Sequence, residues 1–397
     1  MLLSRRTHPF RCLWTSLLVM ALIAPLSACG DDDAFNDDPQ DNKQNRNGPP
    51  ISDEADEELT AAVEEFLTEH FADRAKSPCF AVAQIDGEEI RKAVGCAEPD
   101  NPRDIDFDSR FQIGSITKTM LGIVTRGYLA DQGLEITIPV EELLPTGVEV
   151  PRNDGEEILV AHLLTHTSGF PVFPTEVIPF SDDEDNPYKD ISAQDILDSL
   201  SHPSLDFPNP MGVWDYSNYG TMLLTVALVE HSGRDFDDLL EEYVLEPAGM
   251  DDSGLHASTV QGHNDEGPAP TWDLHTNIAG VGGLRASLND MIAYAQLNLA
   301  DGDETHLEPV RAAQESIAQW PDGEFEYGSL WFIFEAEDHP DLRLLFHGGR
   351  TATFNTSMFL EKGGDRATIV LADTDDAHDE LVEYVSGFAA MLFEEML

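Results

Sequence analysis

Along the chain the spacing of apolar residues changes from helical to strand-like and back. Leu59, Val63, Phe66, Leu67 and Phe71 recur every three or four residues, which predicts a helix over 57–71. Two strand-like runs follow, 79–85 and 90–96, around an Asp86-Gly87 turn. A four-residue loop over 86–89 would pair Ile85 with Ile90 and set Cys79 opposite Cys96. Residues 115–132 read as a helix with Gly133 as its stop. Beyond it, helix-like stretches at 219–230 and 235–244 lie among Pro-rich and Asp-rich loops. Strand signals return at 342–346, 353–360 and 367–371, with Gly363-Gly364-Asp365 turning between the last two. A long helix is expected from His378 to the end.

This order predicts an α/β fold of the α+β kind. An antiparallel sheet, built with helices from both chain ends, would form one lobe over about 56–110 and 276–397. A mostly helical lobe, about 111–275, would be inserted into it. A cleft is then expected between the lobes, where active sites are commonly placed.

The first residues follow a different pattern. Arg5, Arg6 and Arg11 precede a short apolar run at 13–26, and then Ser27, Ala28 and Cys29. This is the pattern of an export signal over 1–28, too short to span a membrane comfortably. Leu26-Ser27-Ala28-Cys29 resembles a bacterial lipoprotein signal, which implies lipidation of Cys29 and anchoring at the cell envelope. Residues 29–55 are mostly Asp, Asn, Gln and Pro and read as a disordered acidic tether. In an oxidising compartment Cys79 and Cys96 would form either a cross-hairpin disulfide or two buried thiols.

Charge narrows the range of partners. The 397 residues carry 76 acidic and 22 basic side chains, a net charge of −54. A nucleic-acid partner is excluded on that balance, because phosphate binding needs a basic footprint. Small anionic substrates would be repelled at long range. An acid-rich, lysine-poor surface suits a salty medium, where screening relieves self-repulsion.

Three short strings carry candidate chemistry. Ser115-Ile116-Thr117-Lys118 puts a lysine amine within reach of a serine hydroxyl at the start of a helix. By itself the pattern also suits a capping serine and a snorkelling lysine. Tyr216-Ser217-Asn218 supplies a phenol that can move a proton, and an amide that can meet a substrate carbonyl. In His347-Gly348-Gly349 the glycines would let a substrate backbone approach a strand, and the histidine would relay a proton or meet a carboxylate. His162 and His166 have the i, i+4 spacing of zinc ligands, but no glutamate follows His162, so neither a metal nor a cofactor is expected.

Taken together and in this order, Ser-x-x-Lys, Tyr-x-Asn and His-x-Gly resemble the penicillin-recognising serine hydrolases. That group includes class C β-lactamases, DD-carboxypeptidases and family VIII esterases. Residues 162–169, 214–220, 245–250 and 280–287 resemble further strings of the same family. The resemblance implies a β-lactamase/transpeptidase-like fold and acylation of Ser115. Lys118 would activate the serine and hold Tyr216 near its anionic form, and Tyr216 would shuttle protons. Asn218 would align the substrate carbonyl, and the N–H groups of Ser115 and Arg350 would form the oxyanion hole. It also implies a monomer acting on a small-molecule, peptide or ester substrate. The lactamases typically carry a lysine where His347 stands, so β-lactam hydrolysis ranks below peptide or ester hydrolysis here.

Overall fold

The computed structural model describes residues 47–71, 78–97, 103–183, 186–264, 267–320, 323, 325–336, 339–375 and 380–397. The export signal, Cys29 and the tether as far as residue 46 lie outside them. From Asn47 the chain runs along the helical lobe: Asn47 Nδ2 donates to the Pro247 carbonyl (2.7 Å) and Gln296 Nε2 to the Pro49 carbonyl (3.1 Å).

Helix α1 (Glu57–Phe71) buries Leu59, Val63, Leu67 and Phe71, the stripe read from the sequence. Asp56 starts it by accepting the Leu59 N–H at 2.7 Å. Strands β1 (Cys79–Asp86) and β2 (Glu89–Cys96) form a hairpin with Ile85 opposite Ile90 and Cys79 opposite Cys96. A disulfide joins the two cysteines. The turn is tighter than expected, because Asp86 pairs with Glu89 and only Gly87 and Glu88 remain in the loop. Gly87 takes a φ of +61°, which lets two residues close it.

The hairpin is one edge of an eight-stranded antiparallel sheet. Its other strands are β5 (Ala318–Gln319), β6 (Glu326–Tyr327), β7 (Phe332–Ala336), β8 (His339–Arg350), β9 (Asn355–Glu361) and β10 (Arg366–Ala372). The order is β2-β1-β10-β9-β8-β7-β6-β5, so the N-terminal hairpin docks on the last strand of the C-terminal meander. Side chains alternate between two cores. Phe80, Val82, Phe359 and Val370 face α1 and α5 (Glu380–Glu394), where Phe66 and Phe388 stack at 4.3 Å. Ala81, Ala83, Met358 and Ile369 face the helical lobe. The expected C-terminal helix is present from Glu380; its predicted first residues, from His378, fall outside the described residues.

In the helical lobe, α2 (Thr117–Asp131) and α3 (Asn218–Ser232) are the long elements. Ser217 caps α3 by accepting the Gly220 N–H, and Gly233 ends it at φ +66°. The stretch 235–244 is helical as expected, with a change of winding inside it. Phe236–Leu240 passes into a π turn, Glu241–Leu245, then a short turn that stops at left-handed Gly249. The lobes are stitched by β3 (Arg110–Gln112), just before Ser115, which pairs with β4 (Arg285–Ser287), just before α4 (Leu288–Leu299).

Candidate active site

The three strings lie far apart in sequence and meet at the junction of the lobes. Ser115 sits in a tight turn, Gly114–Ile116, that leads into α2. Gly114 has φ +53°, and a β-carbon on it would lie 2.7 Å from the backbone nitrogen of Arg350. Only glycine lets the serine turn and the end of β8 come this close. The closeness sets the Arg350 N–H beside the serine.

Lys118 is fully buried one turn further on. Its Nζ lies 3.0 Å from Ser115 Oγ and also donates to the Val281 carbonyl. Tyr216, from the loop before α3, donates its hydroxyl to Ser115 Oγ at 2.8 Å. The serine oxygen is thus within hydrogen-bond reach of two proton-carrying groups. Asn218 opens α3, and its Oδ1 is buried with no hydrogen-bond partner among the described residues.

His347 lies inside β8, which runs on past the predicted end at Phe346. Pairing with β9 continues to Arg350, whereas pairing with β7 ends at Phe346. The stretch from His347 to Arg350 therefore has one edge outside the ladder. His347 Nδ1 contacts the Gly348 carbonyl at 2.6 Å, which fixes its proton on Nδ1, and Nε2 is buried without a partner. Gly349 differs from the expected role. A β-carbon there would meet the Ile113 carbonyl oxygen at 1.9 Å, so its missing side chain accommodates the serine loop of the protein itself. The Arg350 side chain is bound to Asp375, with Nε at 3.0 and 3.1 Å from the two carboxylate oxygens.

Burial sets the protonation. It pushes the Lys118 amine well below the usual lysine range, so the neutral form is favoured. It holds the His347 imidazole down at about 3. Burial also raises the Tyr216 phenol above its ordinary value, despite the bond to Ser115. This corrects the expectation that Lys118 keeps Tyr216 near its anionic form. An uncharged amine offers no field to stabilise a phenolate, and the low-dielectric pocket disfavours both ions. At all three groups burial favours the uncharged form.

Aromatic walls flank the centre. On one side Phe332 packs on His347 (5.4 Å) and Trp214 stacks on Tyr327 (5.6 Å). On the other, Trp272 meets Tyr188 (5.1 Å), and its backbone is held by Gln112, three residues before Ser115. His162 and His166 serve separate partners: His162 Nδ1 accepts the Leu159 N–H and His166 Nδ1 accepts the Ser217 N–H, each at 3.1 Å. Among the described residues no group of three or more His, Cys, Asp or Glu is placed to hold a metal. Sequence reading missed the contact of His166 with the tyrosine string, since nothing local to it points 50 residues downstream.

The profile of the Beta-lactamase family matches residues 63–386, and the chain belongs to that family. Among curated proteins it is similar to the D-alanyl-D-alanine-carboxypeptidase/endopeptidase AmpH of Escherichia coli K12, 26% identical over 238 residues, covering 55% of this chain and 57% of that one. Esterase EstB of Burkholderia gladioli is 28% identical over 208 residues, covering 50% and 52%. The chain thus spans about half the length of these curated relatives. Its fold is that of the β-lactamase/D-alanine carboxypeptidase from Yersinia pestis, with TM-score 0.66, 22% identity, and coverage of 85% of this chain and 98% of that one.

Proposed function

We propose that the protein is an exported, lipid-anchored serine hydrolase that forms an acyl-enzyme on Ser115 and cleaves an ester or a peptide bond of the DD-carboxypeptidase kind. The observation that carries this reading is Ser115 Oγ held at 3.0 Å from a buried Lys118 amine and 2.8 Å from the Tyr216 hydroxyl. As Oγ attacks the carbonyl carbon, the neutral Lys118 amine takes the serine proton. The N–H groups of Ser115 and Arg350 meet the oxyanion. Tyr216 gives its proton to the leaving group as the old bond breaks, and is reprotonated from Lys118. Water then attacks the acyl carbon, its proton passes to the same pair, and Ser115 recovers a hydrogen as the acid leaves.

Of the two, an ester without a carboxylate fits better than a C-terminal peptide, whose carboxylate lies beside the scissile bond. His347 is neutral where the lactamases place a lysine, and the Arg350 guanidinium is bound to Asp375. The edge of β8 from His347 to Gly349, beyond its pairing with β7, offers main-chain groups to an extended substrate. The proposed anchor rests on Arg5, Arg6, the apolar run 13–26 and Cys29.

Intact-mass spectrometry after incubation with an uncharged aryl ester tests the chemistry. The expected result is a transient acyl adduct on Ser115, absent in Ser115→Ala, with slower or no adduct from benzylpenicillin. Turnover unchanged in Ser115→Ala would refute it. For the anchor, Cys29→Ser should move the protein from the membrane to the soluble fraction.

A further inference from the structure

Tyr216 can move protons only while its hydroxyl stays on Ser115, and the structure shows what keeps it there. The His166 carbonyl accepts the N–H of Asp215 at 2.8 Å, and His166 Nδ1 accepts the N–H of Ser217 at 3.1 Å. The residues on both sides of Tyr216 therefore hang from one histidine. The His166 ring also lies against the Tyr216 ring, with centroids 4.6 Å apart at 35°.

Two features are hard to explain by packing alone. His166 adopts φ +54°, a left-handed backbone that a side-chain-bearing residue rarely takes unless the surroundings impose it. Its Nδ1 lone pair is used by Ser217, so the ring proton sits on Nε2, which is buried without a hydrogen-bond partner. A residue that only filled space would need neither the strained backbone nor a stranded N–H. The strained conformation is what aims the carbonyl at residue 215 while the imidazole turns back to residue 217.

Resting on the hydrolase reading above, we infer that His166 is a positioning residue, which fixes the Tyr216 phenol on Ser115 through the backbone of its two neighbours.

The test uses the full chain with His166→Ala, His166→Asn, Tyr216→Phe and the double variant His166→Ala/Tyr216→Phe. Asparagine tolerates the left-handed backbone and keeps a side-chain acceptor for Ser217. With an uncharged aryl ester, His166→Ala should lower kcat by about 100-fold, the loss expected for a misplacement near 1 Å, with KM little changed. His166→Asn should recover to within roughly tenfold of wild type. The double variant should be no slower than Tyr216→Phe alone, because the histidine acts only through the tyrosine. Wild-type kcat in His166→Ala, an asparagine variant no better than alanine, or a double variant that loses both factors would each overturn the inference.

If wild type neither turns over the ester nor carries an adduct on Ser115, the hydrolase reading fails separately. The positioning inference is then decided by ultraviolet titration of the Tyr216 phenol, read as the difference from Tyr216→Phe. Ser115, Lys118, Tyr188 and His166 itself are the titratable or hydroxyl groups around that phenol. Loss of the histidine should open the ring to water and lower the pH of ionisation. An unchanged titration overturns the inference.

Discussion

Gly349→Ala is the sharpest test of how the oxyanion strand is seated. A β-carbon at 349 would lie 1.9 Å from the Ile113 carbonyl oxygen and 2.4 Å from Thr356 Oγ1. Thr356 cannot simply rotate away, since its hydroxyl donates to that same carbonyl at 2.9 Å. Ile113 is itself tethered, through its N–H, to the Leu284 carbonyl at 3.1 Å. Relief therefore requires β8 and the serine loop to separate by about 1 Å, moving the Arg350 N–H away from Ser115. Misplacement on that scale costs about 100-fold in kcat, or ~2.7 kcal/mol of transition-state stabilisation. The overpacking should also destabilise the fold by about 1–3 kcal/mol. Gly348→Ala is the internal control. Its β-carbon would meet nothing closer than 3.6 Å, an ordinary contact, so kcat and Tm should stay near wild type. Steady-state kinetics on an uncharged aryl ester and calorimetry read both quantities. Full activity in Gly349→Ala, or an equal loss in Gly348→Ala, would refute the reasoning.

Four further outcomes are expected. Lys118→Met should cut kcat by roughly 10²–10⁴-fold yet raise the calorimetric Tm. The native pKa of Lys118 lies well below its unfolded value, so between the two the unfolded chain binds a proton that the native state lacks. Burying the amine thus destabilises the fold below the unfolded pKa, and methionine removes that penalty; a lower Tm would contradict it. In the pH–rate profile, activity should fall as pH drops and Lys118 becomes protonated. His347, at about 3, stays neutral above that, so a limb that moved in His347→Gln would contradict the assignment. Replacing Cys79 and Cys96 together by alanine should lower the free energy of unfolding by about 3 kcal/mol in denaturant titration, from the loop the bridge closes. With a net charge of −54, Tm should rise as salt is added, and a flat salt response would argue against self-repulsion at the surface.

The hairpin, α1 and the C-terminal meander were legible because each is a local pattern. Ile85 opposite Ile90 follows from period-two alternation plus a short turn, and the α1 stripe from helical spacing. The reactive strings were legible because serine, lysine and tyrosine are chemically conspicuous. Their convergence came from the family resemblance and not from spacing, since Ser115 and Tyr216 meet through the packing of the helical lobe against the sheet. One error has the same origin. Gly349 read as room for a substrate, because the sequence does not show that Ile113 fills that room. The contacts of His166 with residues 215 and 217 had no signal either, because they appear only in three dimensions. The π turn at Glu241–Leu245 also has no local signature: the stretch 235–244 reads as helix, which it is, and the wider turn appears only in the folded lobe.

The protonation of the site also bears on how so acidic a chain could run the proposed acyl transfer. A phenolate or an ammonium in the cleft would feel the summed field of the surface carboxylates, and its pKa would drift with ionic strength. Here burial is the first cause of the shifts at Lys118, His166, Tyr216 and His347, and each moves toward its uncharged form. The centre can then begin a cycle without charge of its own, and the negative charge that develops on the substrate is met by backbone N–H dipoles. Those dipoles belong to a turn and a strand held together by Gly114 and Gly349, so their aim is fixed by packing. The same desolvation that favours the neutral Lys118 amine keeps His347 from serving as a fixed cation. One physical cause therefore supports nucleophile activation while withholding the site's recognition of a carboxylate.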